Sequence, residues 1–119
     1  RPDGCDVSER LPAHIEAAAI IRRAESEGGF AAVLKRGDRD RGALMLVLRE
    51  RGAFHSLLER ELGPDFDYRW VARRAAEGFG SDKADELVAS RRRFDADSWL
   101  IELDIAEPER FIAETTASG

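Results

Sequence analysis

Glu102 and Asp104 stand two residues apart in the segment Trp99-Leu100-Ile101-Glu102-Leu103-Asp104. In an extended strand that spacing turns both carboxylates to one face. There they could share acid–base work or ligate a hard cation. An amphipathic strand with a solvated face gives the same alternation, with Arg69 or Arg73 as ion-pair partners, and a reaction centre also needs a pocket and a base within hydrogen-bond reach. His14 and His55 are the two histidines, and neither has a second histidine or a cysteine at ligand spacing. Cys5, the single cysteine, can form no internal disulfide. Ser8, Ser56, Ser81 and Ser98 lack a G-x-S-x-G context. Gly28-Gly29 precedes a strand and not a helix, so it offers phosphate no helix N-terminus. The sequence predicts no catalytic, cofactor-binding or metal-ligating residue.

Two groups of side chains suit binding instead. Arg91-Arg92-Arg93 is the densest basic cluster, and Arg73-Arg74 with Trp70 is a second, so the two could grip a phosphate backbone and stack a base. Against this, the net charge of -5 is unlike the basic domains that bind nucleic acid, and arginines at a helix end also complement its dipole. The other group is aromatic: Phe66, Tyr68 and Trp70 alternate along one strand and could form a protein-contact patch. Arg36-Gly37-Asp38 matches an integrin-binding tripeptide, but its glycine and aspartate are ordinary turn residues.

The elements that must position these groups are organised around Gly42-Ala43-Leu44-Met45-Leu46-Val47-Leu48, the longest apolar run. It is too short for a membrane span and reads as a central strand covered on both faces. Residues 1–10 have no apolar periodicity and are expected to be a mobile lead-in. Residues 11–17 alternate as a strand would, and the pattern predicts a short strand passing into a helix from about Ala17 to Glu27; one helix with Pro12 in its first turn is the rival. Gly28-Gly29 supplies its stop. Phe30 to Lys35 and the central strand, joined by a polar turn, are expected to form a hairpin. His55 to Leu62 and Phe66 to Arg73 continue a meander. Ser81 or Asp82 caps a helix that ends in the arginine triplet. Trp99 to Ile105 is the clearest strand, and Pro108 opens a short helix through Ile112, with 115–119 frayed.

The segments Ile20-Ile21-Arg22-Arg23-Ala24-Glu25, Gly28-Gly29-Phe30-Ala31-Ala32-Val33-Leu34, Arg36-Gly37-Asp38 with Gly42-Ala43-Leu44, and Trp99-Leu100-Ile101-Glu102-Leu103-Asp104 with Glu109-Arg110-Phe111-Ile112 resemble a bacterial family of small single-domain proteins known only as a domain of unknown function. The resemblance runs from Leu11 onward and implies a small, free-standing bacterial protein; it brings no activity, cofactor or site residue.

With 119 residues, 43% hydrophobic and 36% charged, the chain is expected to be one globular domain over 11–114. It should bury roughly two-thirds of its unfolded surface. The predicted class is α+β: a mostly antiparallel sheet of five or six strands, two main helices and a short C-terminal one. With no signal-peptide core, a cytoplasmic protein is expected, needing no cofactor and no membrane. The favoured function is a non-enzymatic binding or adaptor module that contacts a protein partner or a second copy of itself through a sheet edge or the aromatic patch. Nucleic-acid binding by Arg91–Arg93 and Arg73-Arg74/Trp70 is the alternative.

Overall fold

The apolar run becomes the middle strand of a five-stranded sheet. The computed structural model describes residues 11–62, 64–65 and 68–118. In chain order the elements are α1 (Ala13–Ser26), β1 (Phe30–Lys35), β2 (Leu44–Glu50), β3 (Ala53–Leu62), β4 (Tyr68–Arg74), a single 3-10 turn (Ala75–Glu77), α2 (Ser81–Phe94), β5 (Trp99–Asp104) and α3 (Pro108–Ser118). The sheet order is β1-β5-β2-β3-β4. Leu44 through Leu48 are all buried, as a strand covered on both faces must be. Leu44, Leu46 and Leu48 join Trp99, Ile101 and Leu103 in a core closed by α1 and α3. Met45 and Val47 join Leu57 and Leu100 in a second core, under Leu87 and Val88 of α2.

The expected β1–β2 hairpin does not form. β5 lies between the two strands, antiparallel to β1 and parallel to β2, so the sheet is mostly antiparallel, as expected, with β2–β5 as its one parallel pair. The reason is burial. β5 carries apolar side chains on one face and Leu100 on the other, so the interior suits it better than it suits β1, whose Phe30, Val33 and Leu34 are exposed. The meander β2-β3-β4 forms as expected.

The expected strand over residues 11–17 is also replaced, by the rival reading of one helix. Ala13, Ala17 and Ala24 are buried, spaced to fall on one helical face, and their small side chains let α1 lie close to the sheet. No side chain caps α1. Instead the Ala13 and His14 N–H groups donate to the carbonyls of Asp40 and Arg39 at 3.2 and 2.8 Å, satisfying donors that a helix start leaves open. At the other end Gly28 takes φ 83°. The Gly29 N–H reaches Ala24 O and the Gly28 N–H reaches Glu25 O, which is a Schellman stop.

Neither Ser81 nor Asp82 caps α2; Gly80 occupies that position without a side-chain bond. Asp82 and the three arginines do sit at the ends where the dipole favours them. α3 runs on past Ile112 through Ser118. Arg23 of α1 holds it, donating to Thr115 Oγ1 and the Phe111 carbonyl, both at 3.0 Å, and lying 3.8 Å over the Phe111 ring.

Because β5 intervenes, the 36–43 connection must cross the start of that strand. Asp38 N–H donates to Asp97 O at 2.8 Å, and the Trp99 indole donates to Asp38 O at 2.7 Å. The Asp38 carboxylate accepts the N–H groups of Asp40 and Arg41 at 3.0 and 2.7 Å, which is a local turn. Those backbone donors, Arg41 first, hold its pKa below the usual carboxylate value of 3.8. A carboxylate favoured in the folded state adds stability above its unfolded pKa, and that stability is lost as pH falls through the lower folded value. The gap in urea midpoint between wild type and Asp38→Ala should therefore be widest near neutral pH and close on acidification below the usual carboxylate value of 3.8. A constant gap would show that the carboxylate charge is not what the turn uses.

Candidate functional site

The carboxylates that could have done chemistry are engaged in holding a turn. Glu102 accepts from Arg49 Nε at 2.8 Å. Asp104 accepts the N–H groups of Arg51 and Gly52 at 3.1 and 2.9 Å. These two residues connect β2 to β3, so β5 fastens the adjoining hairpin through its polar face.

The histidines lie apart. His14 accompanies the α1 start, with Nδ1 3.0 Å from Arg39 O. His55 stands with Nδ1 3.0 Å from Ser56 Oγ and Nε2 3.2 Å from Glu109. Serine, histidine and carboxylate in that order have the outline of a nucleophile with its base and orienter. Here Ser56 is wholly buried, so a substrate has no approach to its oxygen. Glu109 is held by Arg74, whose Nε and Nη2 donate at 2.8 and 2.9 Å, and that pairing keeps its pKa below the usual carboxylate value. Among the described residues no group of three or more His, Cys, Asp or Glu could hold a metal ion.

The structure divides the residues expected to bind. Phe66 lies outside the described residues. Tyr68 is exposed. Trp70 is buried at 8% exposure with the Arg60 guanidinium 4.6 Å over its ring, and Arg60 is paired with Glu16 of α1. Arg73 and Arg74, being consecutive in a strand, face opposite sides. Arg74 pairs with Glu109 on the α3 side. Arg73 pairs with Glu61 and, at 3.4 Å, with Glu59. Arg91 of α2 reaches the same Glu59 at 3.3 Å. Two arginines from separate sequence clusters thus meet around one carboxylate of 4% exposure. Arg92 donates to Leu34 O at 3.3 Å, and Arg93 lies 5.4 Å over the ring of Phe94.

The surface that sequence reasoning missed is the β1 edge. From Phe30 through Leu34 the strand carries no charge. Phe30 is 73% exposed, and Val33 and Leu34 are exposed too. Phe94, 80% exposed, extends this surface from the last turn of α2, which Arg92 ties to Leu34. A shallow depression of about 460 Å³ lined by Asp85, Val88, Ala89, Arg92 and Arg93 adjoins it. The opposite edge, β4, is guarded differently, with Arg69 on Asp65 at 2.6 Å and Arg73 on Glu61. Charged side chains are the usual means of keeping a sheet edge from pairing. On β1 the one lysine, Lys35, turns inward onto the carbonyls of Asp95, Ala96 and Ser98 at 3.1, 3.1 and 2.8 Å. A bulge between Val33 and Lys35 is its remaining guard. The uncharged run was visible in the sequence; placing it in a hairpin hid the fact that one of its sides is free.

A family model described as "Protein of unknown function (DUF1491)" matches residues 11–113. Among solved structures, the crystal structure of a DUF1491 family protein from Caulobacter crescentus is similar at 28% identity and TM-score 0.69, covering 82% of this chain and 90% of that one. The solution structure of a protein from A. tumefaciens is similar at 30% identity and TM-score 0.66, covering 81% of this chain and 86% of that one. No curated protein matches the chain.

Proposed function

The chain belongs to the DUF1491 family of proteins of unknown function, and from that premise we propose that it is a non-enzymatic binding module acting through protein–protein contact at the β1 edge of its sheet. The observation that carries this reading is an edge strand with exposed Phe30, Val33 and Leu34 and no outward charge. An unpaired strand offers a row of backbone donors and acceptors to an incoming strand, and the apolar side chains beside it supply the burial. The reading calls for no cofactor. No helix among the described residues is long and apolar enough to cross a membrane. Nucleic-acid binding is the weaker reading, because Arg73, Arg74 and Arg91 are already matched to carboxylates, leaving Arg92 and Arg93 to carry it.

A photo-crosslinking amino acid tests the surface directly. Placed at Leu34 on the β1 edge, it should give protein adducts in cells; placed at Tyr68 on the β4 edge, it should give few. Adducts at both positions alike, or none at Leu34, would refute the assignment.

A further inference from the structure

We infer that the occupant of the β1 edge is a second copy of this chain, paired antiparallel across a two-fold axis so that two five-stranded sheets become one. The inference rests on the reading of that edge as a protein-contact surface, and it is carried by the charges that flank it. Glu25 and Glu27 lie just before β1, and Arg36 just after it. Arg92 and Arg93 stand at the same end as Arg36, since Arg92 bonds Leu34 O. All five side chains are exposed, and none makes an ion pair among the described residues. One end of the strand therefore has acids and the other arginines without ion pairs of their own; Glu27 acts only at longer range on Arg110, and Arg36 lies 5.5 Å over the Trp99 ring. At the opposite edge of the sheet the arginines of β4 all have carboxylate partners.

A strand with opposite charges at its two ends is complementary to itself only when turned end for end, which is the operation of a two-fold axis. Centred on Ala32, antiparallel pairing sets Phe30 of each copy opposite Leu34 of the other and Ala31 opposite Val33, with side chains of each pair on one face. The same two-fold turn sets the acids just before β1 toward the arginines just after β1 of the second copy, and it does so twice. Phe94 then covers the region where Phe30 of the second copy arrives. The chain's own leading residues 1–10 are a poor alternative occupant, since Arg1, Asp3, Asp6, Glu9 and Arg10 give them little apolar surface to lay on Phe30 and Leu34.

The test is a charge swap read by sedimentation equilibrium on the full chain. Wild type should be a dimer. Glu25→Arg/Glu27→Arg and Arg36→Glu/Arg92→Glu each place like charges at both ends of the contact, so each alone should weaken dimerisation at least tenfold. Mixed one to one, they restore both contacts and should form the heterodimer about as tightly as wild type. Circular dichroism of each variant separates loss of pairing from loss of fold. A monomeric wild type, or swapped variants that dimerise alone and gain nothing on mixing, would overturn the inference. If wild type is monomeric while crosslinks at Leu34 still capture a different protein, the edge is a contact surface and only its occupant has been misassigned. Absence of both would sink the two readings together.

Discussion

Gly37→Ala should destabilise the protein by about 3 kcal/mol, and Gly42→Ala by a similar amount. Both glycines lie where the 36–43 connection passes against the start of β5. A methyl group on Gly37 would land within the radius of the Asp97 carbonyl oxygen and 2.6 Å from the Ser98 carbonyl carbon. On Gly42 it would meet the same oxygen and lie 2.7 Å from Trp99 Cδ1. The obstacles are backbone and a buried indole, so neither can swing aside as a surface side chain would. Relief requires lifting the loop, which breaks the Asp38–Asp97 and Trp99–Asp38 hydrogen bonds. Domains hold together by only about 5–15 kcal/mol in total. Urea denaturation would show the loss as a lower midpoint at unchanged slope. Gly80→Ala, where the added methyl meets open space, is the control and should stay within about 1 kcal/mol. If Gly37→Ala behaves like the control, the connection does not cross β5 as closely as described.

Arg73→Ala/Arg91→Ala has the second large effect, about 3–5 kcal/mol. Each single change leaves Glu59 one guanidinium; the pair leaves a carboxylate of 4% exposure with no cation beside it. An uncompensated buried charge is far costlier than a lost surface ion pair. Adding Glu59→Gln removes the charge and should recover most of the stability. The rescue discriminates: had the arginines mattered for packing alone, removing the carboxylate's charge would recover nothing. These same arginines headed the nucleic-acid reading, so a loss of RNA binding in their variants would have to be separated from unfolding before it meant anything.

How far the sequence could be read depended on whether a segment's neighbours mattered. The central strand, the meander, the stop at Gly28-Gly29 and the alternation of β5 are local patterns, and each is present as read. α1 was harder, because alanine is as compatible with alternation as with a helical stripe, and only its burial at Ala13, Ala17 and Ala24 decides. The neighbour of β1 depends on a strand far along the chain, and no local pattern encodes it. The arginines illustrate the same limit at the level of side chains. Their clustering is visible, but Glu59, the residue that draws Arg73 and Arg91 together, sits in a separate segment and looks like any other charged residue of a strand.

The place of β5 also governs when the protein can fold. β1 emerges early, yet its hydrogen-bonding partner is the last strand, with Phe30 against Asp104, and one flank of β2 waits for the same segment. During synthesis the middle of the sheet is therefore half-built until the C-terminal part leaves the ribosome. Pairings between such distant segments slow folding, and strands exposed in the interval are open to association with other chains. The nascent chain thus carries its greatest aggregation hazard before β5 is made, and the sheet closes only once that strand has emerged.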